Sequence, residues 1–316
     1  MRANRRPLIL FLLACLGLLI SSGTALADYV FTPIDPPGAE QTHATGINNN
    51  GNIVGWYQDG SGTHGFLDVN GSFTTLDVPG SFSTYALGIN NQGLIVGGYQ
   101  VAVQLDPFST AFIFHGFIYD GSTYQTLDST VTPETILNGI NDSGVITGQD
   151  AGCCGGSFIY DGSFHLISVP GSLFTEAGGI NNAGQVTGFY RAPGPGFHGF
   201  VYTAGSFQLF DVPGGFDTEP TDINNDGVVV GWTLSPFAGF IAANGSITEF
   251  DYPGNPGNFA FGINDHGQII GAFSDPSEPF LHRGFLATPV PEAGTLLLLA
   301  AGLVCSGLVR LRRRHS

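Results

Sequence analysis

The sequence predicts an all-β protein, a β-propeller of six four-stranded blades. The first observation is a phrase resembling GINNQGLIVGGY, residues 88–99, which occurs six times along the chain. The second is its period, because the central isoleucines lie 42, 51, 40, 43 and 40 residues apart, as in propellers. The third is that the last repeat lacks a strand that the start of the chain can supply. The central isoleucines are Ile47, Ile89, Ile140, Ile180, Ile223 and Ile263.

One copy, residues 45–80, shows how a repeat divides into four strands. The first strand ends at a turn, NNNG, that leads into NIVGWY; HGFLDV and FTTLDV follow, joined by NGS and ended by Pro-Gly. Asn tolerates left-handed backbone angles and Gly adopts positive φ at no steric cost, so these turns close hairpins. Four antiparallel strands in about 40 residues form one propeller blade.

The strand count at the two ends predicts a closed ring. Five repeats end with a strand like LDVPG, but the sixth stops after RGFLA at 283–287. A matching strand, YVFTPIDPPG, stands at 29–38, before the first repeat. We therefore expect the first strand to complete the last blade, which leaves no exposed edge.

The N-terminal segment, residues 1–27, is predicted to be a secretory signal peptide. Three arginines precede an apolar run from Leu8 to Ile20, and Ala25-Leu26-Ala27 provides a small-residue cleavage site. A lipoprotein signal cut before Cys15 is an alternative, but the apolar run continues past that cysteine. The propeller is then assigned to residues 28–288.

The C-terminal segment, residues 289–316, is predicted to cross a membrane. Residues 293–309 carry no charge, and their length as a helix is about 25 Å, enough for a bilayer with snorkelling arginines. The arginines should stay cytoplasmic and leave the propeller outside. A buried core helix is the alternative, which the adjoining arginines disfavour. The cluster is Arg310, Arg312, Arg313 and Arg314.

This tail resembles the PEP-CTERM sorting signal of Gram-negative bacteria that make exopolysaccharide. Pro291-Glu292-Ala293 stands at the motif, with Ala293 in place of its second proline, and the apolar helix and arginine cluster follow in the same order. The resemblance implies recognition and cleavage by an exosortase-type membrane protease, with transient anchoring in the inner membrane. Ala293 leaves open whether the tail is cleaved.

The repeat resembles the extracellular HAF-repeat family of bacteria. In that family a GIN-type turn is followed by His-Ala-Phe and a strand; here the middle residue is Gly65, Gly116 or Gly199, and other repeats carry GSF, AGF and RGF. The resemblance covers nearly the whole exported region. It implies secretion to the cell surface or extracellular matrix, and it implies no particular activity.

The charge of the exported part excludes nucleic acid as a partner. Between residues 28 and 289 the only arginines are Arg191 and Arg283, lysine is absent, and Asp and Glu number 24, so the formal charge is near −22. Binding to nucleic acid depends on Lys and Arg. An acidic surface of this kind is soluble and attracts divalent cations.

The cysteines predict at most one local disulfide. Cys15 and Cys305 lie in the apolar ends, which leaves the neighbours Cys153 and Cys154 in the exported region. An oxidising compartment could close them into a vicinal disulfide or leave two thiols for intermolecular exchange. A zinc site needs more ligands than this pair offers.

Two sets of polar residues occur once per repeat. The first opens the third strand, and the second follows the fourth. A ring of ligands is one interpretation of the histidines; we favour hydrogen bonds to the turn of their own blade. The aspartates are interpreted as turn caps. The first set is His64, His115, His198 and Arg283; the second is Asp77, Asp128, Asp211 and Asp251.

One turn resembles a calcium loop. Asp222, Asn224 and Asp226 have the D-x-N-x-D-G spacing, although Thr233 replaces the acid expected at position twelve. Calcium is the only cofactor that this pattern suggests. No catalytic residue is assigned, because the sequence contains no nucleophile elbow, zinc-protease motif, P-loop or dinucleotide fingerprint.

These observations predict a non-catalytic propeller at the cell surface or in the extracellular matrix, in contact with exopolysaccharide of a biofilm or with other envelope glycan. A glycan hydrolase or lyase with its site in the propeller funnel is an alternative, and a protein–protein scaffold is another. Function is expected in the loops Gln100–Phe114 and Arg191–Phe197, which interrupt the repeat. Aromatic side chains after the second strands are interpreted as core, with sugar stacking as the alternative. They are Trp56, Trp232, Tyr57, Tyr99 and Tyr190.

Overall fold

The computed structural model describes residues 29–290 except 107, 130–133, 152–155, 236, 256 and 276–277, and it describes no side chains for 275 and 278–280. This part of the chain is an all-β β-propeller of 24 strands. Its compact unit spans Val30–Thr288. No helix in the described ranges is long and apolar enough to cross a membrane. The predicted signal peptide and tail helix lie outside the described residues.

The strands follow the repeats. Strand β1 is Tyr29–Ile34. The first repeat contains β2 (Gln41–Ile47), β3 (Ile53–Asp59), β4 (Gly62–Val69) and β5 (Ser72–Leu76). The second contains β6 (Ser83–Ile89), β7 (Ile95–Asp106), β8 (Ser109–Tyr119) and β9 (Tyr124–Thr126). The third contains β10 (Thr135–Ile140), β11 (Ile146–Asp150), β12 (Ser157–Tyr160) and β13 (Phe164–Ile167).

The remaining repeats follow the same order. The fourth contains β14 (Phe174–Ile180), β15 (Val186–Arg191), β16 (His198–Thr203) and β17 (Ser206–Phe210). The fifth contains β18 (Thr218–Ile223), β19 (Val229–Leu234), β20 (Phe237–Ala243) and β21 (Ser246–Phe250). The sixth contains only β22 (Asn258–Ile263), β23 (Ile269–Asp275) and β24 (Glu278–Pro289).

The sheets correct the prediction of six separate blades. Four sheets have four strands each, whereas the first two repeats share one eight-stranded sheet. A single parallel bridge from Thr63 to Ser83 joins β4 to β6. Gly62 begins β4 next to this bridge with φ 148°, a backbone conformation that favours glycine. The predicted closure is confirmed, since β1 pairs with β24 as the fourth strand of the last sheet.

The core lies between neighbouring sheets and is built from one phenylalanine per repeat. Each is the Phe of the HGF, GSF, AGF or RGF triplet, and each is fully buried. Burial of such a ring contributes about 2–3 kcal/mol. The glycine of the second strand makes room for it: a Cβ on Gly55 would overlap the His43 carbonyl oxygen and come within 2.7 Å of the Phe66 ring. The six rings are Phe66, Phe117, Phe158, Phe200, Phe240 and Phe285.

The first strands of the repeats, β2, β6, β10, β14, β18 and β22, contact one another in sequence and surround a central channel. All six run in the same sense, so the channel has two unlike ends. The end where these strands finish in Asn-rich turns is called the turn end. The end where they begin is called the funnel end, and the connections between second and third strands lie there too.

Candidate functional site

A closed ring of hydrogen bonds fills the turn end of the channel. One asparagine of each turn caps its own turn; in the first repeat, Asn48 Oδ1 accepts from the amides of Asn50 and Asn52. Its Nδ2 group donates to the carbonyl oxygen of the equivalent Asn90 of the next repeat, over 3.0 Å. The bond recurs at every junction. The six residues are Asn48, Asn90, Asn141, Asn181, Asn224 and Asn264.

A second ring lies beside the first. In each repeat, the backbone amide of the residue after the capping asparagine donates to the side-chain oxygen of the equivalent residue in the next repeat. The series runs from Asn49 to Asn91 and on to Asp265, whose amide donates back to Asn49. Asp265 also accepts from the amide groups of Asn49 and Asn225. Desolvation alone would raise the pKa of Asp265, but these hydrogen bonds outweigh it and the pKa lies below its usual value. Because these polar groups hydrogen-bond to one another across the junctions, the turn end of the channel holds neighbouring repeats together.

Asp222 lies in the neck of the channel, between its two ends. Its Oδ1 accepts from the Ile223 amide at 2.8 Å, and its Oδ2 accepts from the Ile263 amide of the next repeat at 3.0 Å. Burial raises its pKa to about 7. The other five repeats have glycine here, so this carboxyl group is particular to the fifth repeat.

The hydrogen bonds also bear on the predicted calcium loop. Asn224 Oδ1 accepts from the amides of Asp226 and Val228, and both Asp222 oxygens are engaged. Among the described residues no group of three or more His, Cys, Asp or Glu side chains could hold a metal ion. Calcium at Asp222, Asn224 and Asp226 stays a prediction.

The funnel end contains a cavity of about 300 Å³, which we call the funnel. Its wall combines aromatic rings with a few polar groups, while the cavity at the turn end is only about 80 Å³ and mostly polar. Ligand pockets are typically concave and apolar with a few convergent polar groups. The funnel is therefore the candidate site. Residues that line it include His43, Trp56, Asn138, Glu176, Phe189 and Phe261.

The repeats differ at the funnel end and are alike at the turn end. The residue type three positions before the Gly-Ile-Asn sequence, or before Asp222 in the fifth repeat, changes from repeat to repeat. These side chains lie near the beginning of the inner strands, where a ring of six would surround the channel. Sequence reasoning missed them because only Glu176 and Glu219 share a residue type at this position, so no repeated motif marks it. They are His43, Tyr85, Ile136, Glu176, Glu219 and Phe259.

His43 and Trp56 form one wall of the funnel. They are cross-strand neighbours on β2 and β3, and their rings stack with centroids 4.0 Å apart and planes at 11°. His282 Nδ1 lies 3.2 Å from His43 Nε2. Burial, and then the neighbouring His282, lower the pKa of His43 to about 3. Burial also lowers the pKa of His282. Both rings are therefore neutral at pH 7.

Glu176 and Glu219 occupy equivalent positions on the adjacent inner strands β14 and β18. Burial raises the pKa of Glu176 to about 7. Burial also raises the pKa of Glu219 to about 7, with smaller contributions from Asp217 and Glu176. Within the described part of the chain, no hydrogen bond or ion pair to either carboxyl group is found. Two half-buried carboxyl groups with no hydrogen bond or ion pair among the described residues are unusual.

Apolar side chains surround the funnel on the same face. The predicted functional loop Gln100–Phe114 is a β-hairpin, the paired ends of β7 and β8, and it projects from the funnel end. Phe108 at its tip is 98% exposed, and Phe112 packs on Phe82 with centroids 4.5 Å apart. Further exposed apolar residues precede inner strands or follow second strands. The apolar rim consists of Phe82, Leu105, Phe108, Phe112, Leu173, Phe216 and Leu234.

The repeated histidines lie on the outer strands and pair with the repeated aspartates. His64 Nδ1 lies 2.9 Å from Asp77 Oδ2, and the same pair is formed by His115 with Asp128 and by His198 with Asp211. Each pair lies within one repeat, so the histidines form no shared ligand ring. Arg283 donates to the Ala39 carbonyl oxygen.

The interpretation of the aspartates as turn caps is wrong for these three. The turns that follow them are capped instead by threonine: Thr84 Oγ1 accepts from the Val78 amide, Thr135 Oγ1 from the Ser129 amide and Thr218 Oγ1 from the Val212 amide. The aspartates are free to accept from histidine because threonine already serves the turn. For Asp251, which has no histidine in its repeat, burial and then Glu249 raise the pKa.

Ser61, His64 and Asp77 have the donor order of a serine hydrolase. Ser61 Oγ lies 2.9 Å from His64 Nε2, and His64 Nδ1 contacts Asp77. The hydroxyl group, however, donates to Asp59 Oδ1 at 2.6 Å, and the Ser61 amide donates to the same oxygen. The serine therefore belongs to the turn between β3 and β4, and the group is exposed on the surface. This arrangement carries no catalytic assignment.

The aromatic residues expected after the second strands lie within these strands, and they divide between core and funnel. Tyr57 is buried, in agreement with the core interpretation, whereas Trp56 lines the funnel. Trp232 packs edge-on against Phe259 at 5.2 Å. Tyr99 and Tyr190 lie against His115 and His198.

Two groups of predicted residues lie outside the described residues. They are Cys153 and Cys154, and the sorting residues Pro291, Glu292, Arg310, Arg312, Arg313 and Arg314.

The comparisons with known proteins place this geometry among solved folds. No protein-family model matches the chain. No curated protein matches it either. A protein of unknown function from Dyadobacter fermentans superposes with a TM-score of 0.55 at 14% identity, covering 84% of this chain and 99% of its own. A gluconolactonase from Xanthomonas campestris superposes with a TM-score of 0.51 at 11% identity, covering 84% and 91%. At these identities the similarity shows the fold alone.

Proposed function

We propose that this protein is an exported bacterial propeller that binds exopolysaccharide or another envelope glycan in the funnel. The observation that carries the proposal is a cavity of about 300 Å³ whose wall joins Trp56, Phe189 and Phe261 to the polar groups of His43 and Glu176. Aromatic faces stack on the apolar faces of sugar rings, and polar groups between them fix the hydroxyl groups. Such a wall fits a glycan better than a small apolar ligand.

The proposal includes an address and a route. The signal peptide of residues 1–27 exports the chain, the tail of residues 289–316 anchors it transiently, and an exosortase-type protease removes the tail. The resemblance of the ends to such signals supports this route. We further propose that the eight-stranded sheet acts as two blades, so that six blades surround the funnel; the six equivalent junctions of the asparagine ring support this count.

Binding of the producing organism's own exopolysaccharide to residues 28–288 tests the proposal. This region contains the whole compact unit Val30–Thr288. We expect saturable heat release in titration calorimetry, and a loss of about tenfold or more in affinity in Trp56→Ala. Tyr202→Ala is the matched control, because Tyr202 is a half-buried aromatic near the turn-end finish of β16. Equal loss in both variants, or no binding at all, would reject a glycan site in the funnel.

A glycan-active enzyme is the second candidate, and Glu176 and Glu219 favour it. Glycoside hydrolysis uses two carboxyl groups, one of them protonated at working pH. The raised pKa of each residue would supply the acid. Incubation of the polymer with the protein, followed by size-exclusion chromatography, distinguishes the candidates. Shortened polymer that is absent with Glu176→Gln would establish the enzyme, and unchanged polymer together with saturable binding supports the binding protein.

A protein scaffold is the third candidate, and the apolar rim favours it. Exposed apolar patches of this kind mark contact surfaces. Phe108→Ser in the hairpin would weaken a protein partner and leave the funnel unchanged, so the two surfaces can be tested separately.

A further inference from the structure

The carboxyl groups around the funnel are not balanced by an ion pair among the described residues. Glu176 lines the funnel, and Glu219 occupies the equivalent position on the adjacent inner strand, near enough to Glu176 and to Asp217 for both charges to raise its pKa. Within the described residues there are two arginines. Arg283 donates to the Ala39 carbonyl oxygen, and Arg191 is exposed at the end of β15, where it makes no ion pair with either glutamate.

The other titratable groups of the funnel do not neutralise these carboxyl groups. His43 is held neutral by burial, and His282, which contacts it, is shifted in the same direction. A ligand that brings its own positive charge would therefore remove the main cost of ionising Glu176 and Glu219 in this half-buried place.

The aromatic wall favours the same kind of ligand. Trp56, Phe189 and Phe261 line the cavity together with Glu176. The faces of aromatic rings attract cations, and they do so most strongly where water is excluded. Rings with nearby carboxyl groups form the usual recognition site for an organic ammonium group. The same rings also stack on sugars, so one wall serves both parts of an amino sugar.

The charge of the whole exported region acts in the same direction over a longer range. A formal charge near −22 draws cationic polymers towards the protein and repels polymers that carry uronate, sulfate or phosphate. The funnel volume, about 300 Å³, lies at the lower end of the range for ligand pockets, so it accommodates a short segment of a chain.

We propose that the funnel selects glycans that carry free amino groups, such as partly or fully deacetylated hexosamine polymers, with Glu176 and Glu219 as the ammonium-binding groups. This inference rests on the proposed function, since it names the class of glycan that the same cavity takes. Trp56, Phe189 and Phe261 hold the sugar rings, and the carboxyl groups distinguish a free amine from an acetamide.

A matched pair of probes tests it: the glucosamine hexamer and the N-acetylglucosamine hexamer, titrated into residues 28–288 at pH 6.5. We expect the free amine to bind at least about tenfold more tightly, because a charge-assisted hydrogen bond is worth that much. Glu176→Gln and Glu219→Gln should each reduce this preference, and the double variant should abolish it. Glu249→Gln is the control, because it removes the same charge from the exposed outer strand β21.

The outcomes separate this inference from the proposed function. Equal or tighter binding of the acetylated hexamer, or an unchanged preference in the double variant, overturns the amino-sugar inference while a glycan site in the funnel stands. Binding of the organism's own polymer, but of neither hexamer, overturns it too. No binding of any glycan overturns both. Far-ultraviolet circular dichroism and the Tm of each glutamine variant show whether a loss of binding reflects unfolding.

Discussion

Asn264 Nδ2 donates to the carbonyl oxygen of Asn48 over 3.1 Å and so joins the last repeat to the first. The same bond links all of the remaining pairs of neighbouring repeats, and the pairing of β1 with β24 closes the outer part of the ring. The propeller is thus closed twice, at its axis by side chains and in its last sheet by a strand. Closure at the axis holds the inner strands at fixed positions around the funnel.

The asparagine ring should be the main polar contribution to stability. Asn90 is buried; its Oδ1 accepts from the Gln92 and Leu94 amides and its Nδ2 donates to the Asn141 carbonyl oxygen. Asn90→Ala should lower the free energy of unfolding by about 2–4 kcal/mol, because one buried and two part-buried backbone groups lose their partner. Urea denaturation measures this. Gln92→Ala, an exposed change in the same turn, should cost under about 0.5 kcal/mol; equal effects would contradict a special role of the ring.

Glu176 should make the protein less stable as the pH rises. Its folded pKa is about 7, above the ordinary value of 4.5, so its favourable contribution is complete below pH 4.5 and is lost towards pH 7. Glu176→Gln removes this loss. We expect the stability of the variant relative to the wild type to rise by about 1–2 kcal/mol between pH 4.5 and pH 8.

The measurement is urea denaturation of both proteins across that range. Glu249→Gln is again the control, because it makes the same substitution at an exposed position on β21. A difference that falls with pH for Glu176→Gln would show that the carboxyl group is ionised and stabilised in the folded protein, contrary to the geometry.

The sequence predicts the turn end well and the funnel end poorly, for one physical reason. Asn48 and its equivalents recur because each turn needs the same cap and each junction the same bond, so repetition reveals them. The residue type at the position of His43 and Glu176 changes from repeat to repeat, with glutamate only at Glu176 and Glu219, so repetition does not reveal it. That these residues lie on one ring becomes clear only when the strand register shows which positions of the repeats are equivalent.

The His–Asp pairs show a second limit of sequence reasoning. His64 and Asp77 are 13 residues apart, on strands whose register places them as neighbours. The repeat reveals both residues in the sequence. It does not reveal their partners, because the turn amide of Val78 donates to the Thr84 hydroxyl group instead of to Asp77. The shared sheet of the first two repeats was also not predictable, since it depends on one bridge at Thr63.

The His–Asp pairs should be dispensable for binding. His115→Asn removes the partly exposed pair with Asp128 on the outer side of the blade, and we expect a loss of under about 1 kcal/mol in unfolding free energy. Titration calorimetry should give the same glycan affinity as the wild type. A large loss of affinity would move the site from the funnel to the outer strands.

Calcium should not stabilise the fold through the Asp222 turn. The Asp222 and Asn224 oxygens already accept backbone hydrogen bonds, so a cation would have to displace them. We expect millimolar calcium to leave the Tm within about 1 °C of its value in chelator. A larger increase that disappears in Asp226→Asn would establish calcium binding at this loop instead.

The stack of His43 on Trp56 offers a direct optical test of the funnel. The chain contains two tryptophans, so Trp232→Phe leaves Trp56 as the only one. A protonated imidazole quenches a stacked indole, whereas a neutral one does so much less. Because the pKa of His43 is about 3, emission should be the same at pH 7.5 and pH 5 and should fall only near pH 3. A midpoint near pH 6.5 would show an exposed, solvated histidine and a funnel more open than its geometry indicates. Addition of a glycan that binds at pH 6.5 should shift the emission of Trp56 if the sugar reaches this wall.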